Sequence, residues 1–312
     1  MVLEVFLGQR DLLDGHDPVR RPLQHRVDQG ESHGGRIPGS AAGARGRTLR
    51  VVPTIRDEAV CVRLWDWSET SQTVSLFTRE HGMLRGLAKG AKREHAPYSG
   101  GFELLTRGEV VAIVKKEGQL ATLTAWDLSD PWRALRGTLD AFYAGCAAAD
   151  VVHHAVTDHD PHPELYDALT GALASAGGDP AGSVLRLVWA TLVETGYRPS
   201  LEKAADTGGS LADAETFGFS PRLGGLVPDP AGQAPASTTQ GPVWRVRGET
   251  VRLLRELGRD TPVSVGIAAT GVGSDWAKPA VHRAVRLLLA YLSEILGREP
   301  PAVRAFLGTL PA

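Results

Sequence analysis

The fold is decided by residues 60–88, which read VCVRLWDWSETSQTVSLFTREHGMLRGLA. Val60, Val62 and Leu64 alternate with the residues between them, and this period of two is typical of a half-buried β-strand. Two further short runs of strand-forming residues follow, separated by the turn His81-Gly82. The stretch therefore predicts three consecutive strands joined by turns.

Two more strands are predicted before the pattern changes. One covers Glu109 to Lys116, and the other covers Leu120 to Trp126 after the turn Glu117-Gly118. Five short strands within about 70 residues are typical of a small closed barrel, and the OB-fold is the commonest five-stranded one. A five-stranded SH3-like barrel has the same periodicity and stays an alternative.

The apolar period becomes helical after Asp130-Pro131. Apolar residues recur at helical spacing from Leu139 to Cys146, so Cys146 is predicted to be a core residue. The same spacing returns over 185–192 and over 285–296, which ends at Gly297. The predicted fold class is therefore α+β, with a five-stranded OB-fold barrel followed by an α-helical domain.

The domain boundaries follow from these changes in pattern. Residues 53–129 are predicted to form the barrel, and residues 130–312 the helical domain. Residues 198–242 are rich in Gly, Pro, Ser and Thr and are predicted to be an irregular insertion, since they exceed a simple connection in length. Residues 1–52 have few apolar positions, and we expect a disordered segment or an extension from a start codon placed too far upstream.

Composition excludes several classes of protein. The formal net charge is −2, which gives no global basic field. The 2 cysteines, Cys61 and Cys146, exclude a Cys₄ zinc site and a disulfide-rich scaffold, and we expect free thiols. No apolar run approaches the length of a membrane-spanning helix, so we expect a cytoplasmic protein without a membrane partner.

Positive charge is nevertheless concentrated locally. Residues 79–93 hold five basic residues against the single acidic residue Glu80, and such local charge suits binding to phosphates. Bases that are not stacked on each other need aromatic platforms, and the candidates are Trp65, Trp67, Phe77 and Tyr98, half of which we expect to be core residues. The predicted DNA-binding residues are Arg79, Arg85, Lys89, Lys92, Arg93, Arg107, Lys115 and Lys116.

A rival interpretation rests on a cluster of histidines and carboxylates. Imidazole and carboxylate groups close together could hold a metal ion that activates water for hydrolysis. An inter-helix loop is the simpler explanation, and a metal-dependent hydrolase stays an alternative. The cluster consists of His153, His154, Asp158, His159, Asp160 and His162.

Several blocks of sequence resemble one bacterial family. The blocks 67–72, 75–82 and 85–93 resemble the start of the recombination mediator RecO, and 99–109 continues the match. Gly196-Tyr197-Arg198-Pro199 resembles the helical part of the family. The resemblance extends over about residues 53–312 and includes a central hairpin at Phe219 to Leu226.

The resemblance implies a binding protein without catalytic activity. Members of this family bind single- and double-stranded DNA, anneal complementary strands and help RecA to displace single-strand-binding protein (SSB). The implied partners are DNA, RecR, the SSB C-terminal tail and, indirectly, RecA, in a cytoplasmic, nucleoid-associated setting. Arg186 aligns with an arginine that binds the SSB tail, and Arg283, Arg286 and Arg304 are weaker candidates for contact with the tail or with DNA. An OB module tuned to RNA stays an alternative.

One feature of the family is missing. Many members hold zinc with two CxxC pairs around the central hairpin, and the matching positions here are Ala204, Thr207, Pro228 and Ala231. None of these side chains can supply the thiolate, imidazole or carboxylate that zinc needs. We therefore expect no cofactor, with the insertion held by packing and proline rigidity.

Overall fold

The structure, a computed structural model, describes residues 53–114, 119–229, 241–260 and 276–311. The predictions for residues 1–52, Lys115, Lys116 and Ala231 lie outside these described residues.

Five strands close into a barrel in the order β1-β2-β3-β5-β4, and β4 pairs with β1. All neighbouring pairs are antiparallel except β3 and β5, which pair in parallel at Gly86 and Ala121. This order with a parallel closing pair is that of an OB-fold, so the OB-fold prediction is confirmed and the SH3-like alternative is wrong. The strands are β1 (Thr54–Asp66), β2 (Gln72–Thr78), β3 (Gly82–Ala88), β4 (Arg107–Ile113) and β5 (Ala121–Asp130).

Strand β1 is longer than its periodicity predicts, and it does not alternate simply. A bulge between Cys61 and Arg63 shifts its register against β2. Cys61 lies in the barrel core, whereas Val60 and Val62 lie outside that cluster and are buried as well. They are buried because the first helix packs against the outer side of β1. Both faces of β1 are therefore apolar in its middle, which pure alternation could not show.

The helical part follows directly after β5. Thr138 begins the first helix by accepting a hydrogen bond from the backbone N–H of Ala141 at 3.2 Å, and Asp179 begins the third in the same way with Gly182 at 3.0 Å. Gly297, at φ +68°, ends the fifth helix, as the sequence predicts. The helices are α1 (Leu139–Ala155), α2 (Pro163–Ser175), α3 (Pro180–Glu194), α4 (Gly248–Asp260), α5 (Lys278–Leu296) and α6 (Pro301–Leu307).

The insertion is irregular only in part. A three-stranded antiparallel sheet in the order β7-β6-β8 connects α3 to α4, and its first two strands form the hairpin expected from the family resemblance. Strands of three to five residues are too short for a periodicity argument, so the sequence pattern missed them. They are β6 (Thr216–Ser220), β7 (Gly225–Val227) and β8 (Trp244–Arg247).

Both cysteines are free, and Cys146 is buried, as the sequence predicts; Cys61 is buried as well. Burial raises the pKa of the Cys61 thiol to about 12 and that of Cys146 to about 12, so both thiols stay protonated and act as core residues. Among the described helices, none is both long enough and apolar enough to cross a membrane.

Candidate nucleic-acid interface

The connection from β3 to β4 covers one end of the barrel. Tyr98 donates a hydrogen bond from its hydroxyl to the carbonyl of Leu123 at 2.7 Å. The backbone N–H of Trp126 donates to the carbonyl of Pro97 at 2.9 Å. The ring of Phe102 lies 4.9 Å from that of Trp126, centroid to centroid. The second half of this connection is therefore anchored in the barrel core, while residues 92–95 in its first half are exposed.

Three exposed cations lie on this first half, and we call Lys89, Lys92 and Arg93 the basic rim. The N–H of Lys92 donates to the carbonyl of Thr70 at 3.0 Å, and its ammonium lies 2.6 Å from a carboxylate oxygen of Asp66. Among the described residues, neither Lys89 nor Arg93 forms an ion pair. The rim is thus fixed to the β1–β2 turn while most of its charge faces solvent.

The same turn carries an exposed aromatic side chain. Trp67 is 53% exposed, and its backbone N–H donates to the carbonyl of Ser71 at 2.9 Å, which closes the turn. Of the other predicted stacking residues, Trp65 is half-buried, whereas Phe77 and Tyr98 are buried. Phe77 packs toward Tyr166 and Tyr98 belongs to the barrel core, so these two are the half of the candidates that we expected to be core residues.

Two predicted DNA-binding arginines join the barrel to the helical part instead. Arg79 forms a bidentate ion pair with Asp167 of α2, one of its contacts measuring 2.9 Å, and its guanidinium lies over the ring of Tyr166. The hydrogen bond to Asp167 raises the pKa of Arg79. Arg85 lies 3.2 Å from a carboxylate oxygen of Asp158, in the loop before α2. Each of these arginines thus has a carboxylate partner in the helical part, and its role in DNA binding stays a prediction.

A third pair of the same kind is buried. Arg63 of β1 forms an ion pair with Asp150 of α1, whose other carboxylate oxygen accepts the N–H of Ala302 at 2.8 Å. Burial raises the pKa of Asp150, although Arg63 acts in the opposite direction. Sequence reasoning missed Arg63 because nothing local marks its partner, 87 positions away. Three barrel arginines thus each meet an aspartate of the helical part.

Arg107 lies apart from the basic rim. Its guanidinium is stacked over the ring of Trp132 at 5.9 Å, at the junction between β5 and α1. Its Nε atom is buried and has no hydrogen-bond partner among the described residues. Arg107 therefore packs at the domain junction rather than extending the exposed cations of the rim.

The histidine cluster is not brought together. Nδ1 of His154 lies 2.8 Å from Arg298, whereas His162 precedes α2 and lies 3.3 Å from Asp160. Burial and the nearby arginines lower the pKa of His153 to about 2, and its Nδ1 is buried without a hydrogen-bond partner. Within the described part of the chain, no three such groups converge on a point where they could hold a metal ion. The metal site on which the hydrolase hypothesis depends is therefore not formed among the described residues.

Comparison with known proteins agrees with this architecture. Residues 52–132 match the family model described as "Recombination protein O N terminal", and residues 136–304 match "Recombination protein O C terminal". The chain belongs to the RecO family. The boundary between the two family models falls at the junction between β5 and α1.

The RecO relatives extend over most of this chain. The DNA repair protein RecO of Myxococcus xanthus is 28% identical over 249 residues, which is 79% of this chain and 94% of the relative. That of Rhodopirellula baltica is 28% identical over 270 residues, 80% of this chain and 97% of the relative. That of Anaeromyxobacter sp. (strain K) is 29% identical over 247 residues, which is 78% of this chain and 92% of the relative.

The RecO resemblance assigns a peptide-binding role to Arg186, which stays a prediction. Arg186 lies on α3 with its side chain 16% exposed, 3.3 Å from a carboxylate oxygen of Asp179. Two of the weaker candidates are engaged in structural contacts, because Arg283 pairs with Glu249 and Arg286 donates to the carbonyl of Leu310 at 3.0 Å. Arg304 is 80% exposed on α6.

The zinc positions of RecO members are occupied by side chains that do not fit a metal. Ala204 is buried, its N–H donates to the carbonyl of Gly209, and its own carbonyl accepts from Gly208 at 2.8 Å. A backbone-closed turn thus stands at the first pair, and Thr207 and Pro228 offer no thiolate or imidazole. The residues at these positions therefore do not fit zinc.

Arg255 of α4 holds this segment by direct contacts. Its Nε donates to the carbonyl of Leu201 at 2.9 Å, Nη1 donates to Asp213 at 3.1 Å, and the guanidinium lies 5.7 Å from the ring of Phe217. The N–H of Ala205 also donates to the carbonyl of Leu226 on the hairpin at 2.7 Å. The insertion is therefore held by one half-buried cation and by backbone pairing, a device that the sequence alone did not indicate.

Proposed function

We propose that this protein is a DNA repair and recombination mediator that binds single- and double-stranded DNA, anneals complementary strands and helps to load RecA onto SSB-coated DNA. The observation that carries the proposal is the exposed Trp67 beside the basic rim, on the OB barrel of a RecO-family chain. No bond is made or broken in this role.

Binding at this site combines two physical terms. Lys89, Lys92 and Arg93 neutralise phosphates and release counterions, which makes the affinity depend on salt. Trp67 provides a flat surface on which a base that has left its helical stack can pack. The three cations contact the phosphate backbone, and Trp67 contacts the face of one base. They therefore leave hydrogen-bonding edges of other bases accessible to a complementary strand, which annealing requires.

The partners belong to the same proposal. RecR and the SSB C-terminal tail are the direct protein partners, and Arg186 on α3 is the residue proposed to meet the terminal carboxylate of the tail. Arg186 already pairs with the carboxylate of Asp179, so the terminal carboxylate of the tail has to compete with this internal partner. We place the protein in the cytoplasm, at the nucleoid.

The test measures binding of a fluorescent single strand, followed by annealing of SSB-coated complementary strands. Salt-sensitive binding together with accelerated annealing supports the mediator role. A protein that ignores DNA at low salt contradicts it. Competition with an RNA strand of the same sequence decides between DNA and RNA, and preferential binding of RNA would favour the RNA-binding OB module.

A further inference from the structure

A pocket opens next to the basic rim. It has a volume of about 380 Å³ and lies between the β3–β4 connection, the start of β2 and the end of β5. Lys92 forms part of its wall, so the pocket is continuous with the proposed DNA-binding surface. This volume lies in the usual range of small-molecule sites, and one nucleobase fits it.

The pocket is a built feature of the fold. The side chain of Gln72 accepts a hydrogen bond from the N–H of Phe102 at 2.9 Å and donates to its carbonyl at 3.2 Å, which holds the wall in place. Gly100 and Gly101 have φ values of +88° and +111°, and a Cβ at Gly100 would meet nothing within 4 Å. The backbone here takes a conformation that favours glycine, and it leaves the pocket open.

One wall carries a fixed carboxylate. Arg136 lies 3.0 Å from Oε1 of Glu103 and is itself held by the carbonyls of Pro131 at 2.6 Å and Leu104 at 3.1 Å. The Glu103 side chain remains 65% exposed, and Oε1 is the oxygen that lies 3.0 Å from Arg136. A carboxylate has two oxygens that accept several hydrogen bonds, so Oε2 is available to a ligand.

The side chains that line this pocket suit a base rather than a phosphate. Glu103 repels a phosphate but accepts from an amino group, and Leu128, which is 39% exposed, supplies an apolar contact for a ring. We propose that the pocket receives one unstacked base of the bound strand, and that Glu103 accepts a hydrogen bond from its exocyclic amino group. Among the pyrimidines of DNA, cytosine carries such a group and thymine does not, so the pocket prefers cytosine to thymine. This inference rests on the proposed function.

The test compares oligo-dC with oligo-dT of about twelve residues, a length within the site size of one OB-fold. The unchanged protein binds oligo-dC about fivefold more tightly, which is the size of one net hydrogen bond. Glu103→Ala removes this preference, because the acceptor is lost. Removing a negative charge also strengthens binding to every strand, so the ratio of the two affinities is the quantity that matters.

Glu109→Ala is the matched control. Glu109 is also an exposed barrel glutamate paired with an arginine, Arg56, and it lies outside the pocket. The control retains the fivefold ratio. Two results would overturn the proposal that the pocket receives a base: equal binding of both strands by the unchanged protein, or an affinity ratio that is unchanged in Glu103→Ala. Both leave the proposed function intact. Failure to bind either strand contradicts the proposed function itself.

Discussion

Neutralising the basic rim with Lys89→Gln, Lys92→Gln and Arg93→Gln tests how many cations meet the phosphates of a bound strand. These three lie together on the β3–β4 connection, whereas Arg79 and Arg85 pair with aspartates of the helical part. Lys92 pairs with Asp66 of the barrel, and Lys115 and Lys116 lie outside the described residues. Three contacts with single-stranded DNA predict a slope of about −2 for log Kobs against log[salt], whereas eight would give about −6. At about 0.1 M salt a slope of −2 corresponds to an electrostatic contribution of about a hundredfold in affinity.

The assay is fluorescence anisotropy of a labelled oligonucleotide over a salt series. The triple variant loses about a hundredfold in affinity at about 0.1 M salt, and its slope approaches zero. A matched triple variant, Arg56→Gln, Arg252→Gln and Arg259→Gln, removes the same charge from exposed positions on β1 and α4 and keeps the original slope. A slope near −6 for the unchanged protein, or equal losses in the two variants, would refute this reasoning.

Three further results are expected. Trp67→Ala weakens single-strand binding by about 1–3 kcal/mol, the loss of one stacked base, and leaves the melting temperature unchanged because the side chain is exposed. The folded protein keeps His153 neutral, with a pKa near 2 against 6.5 for the free group, so its contribution to stability is present above pH 6.5 and is lost as the pH falls. Between about pH 7.5 and pH 5 the free energy of unfolding falls by about 2 kcal/mol through this group, and His153→Leu removes that loss in chemical denaturation. Arg255→Met accelerates proteolysis between Leu201 and Asp213, whereas a zinc chelator leaves the cleavage rate unchanged.

Each of these has a matched control. Leu223→Ala also removes an exposed apolar side chain and leaves DNA binding unchanged, and His95→Leu at an exposed position keeps the acid-dependent loss of stability. Arg252→Met on the exposed face of α4 leaves the proteolysis rate unchanged. A chelator that accelerates cleavage of the unchanged protein would contradict the conclusion that the insertion is held without zinc.

Local patterns predicted the elements that have a long, regular period. Alternation indicated β1 and β4, and helical spacing indicated α1, α3 and α5, because burial of one face imposes a period on the residues that fill it. The bulge in β1 was not predictable in this way, since it depends on the register of β1 against β2. The strands β6, β7 and β8 are shorter than any periodicity window.

The sequence by itself determined the barrel, the helical part, the exposed cationic connection between β3 and β4, and the absence of zinc ligands, because each depends on the residue types within a short stretch of chain. Tertiary structure decided which basic side chains of residues 79–93 pair with carboxylates of the helical part. Arg79 and Arg85 have the same local appearance as Lys89, yet Asp167 and Asp158, brought close by folding, neutralise them. The partner of a charge is fixed by distance in space, and a sequence gives only distance along the chain.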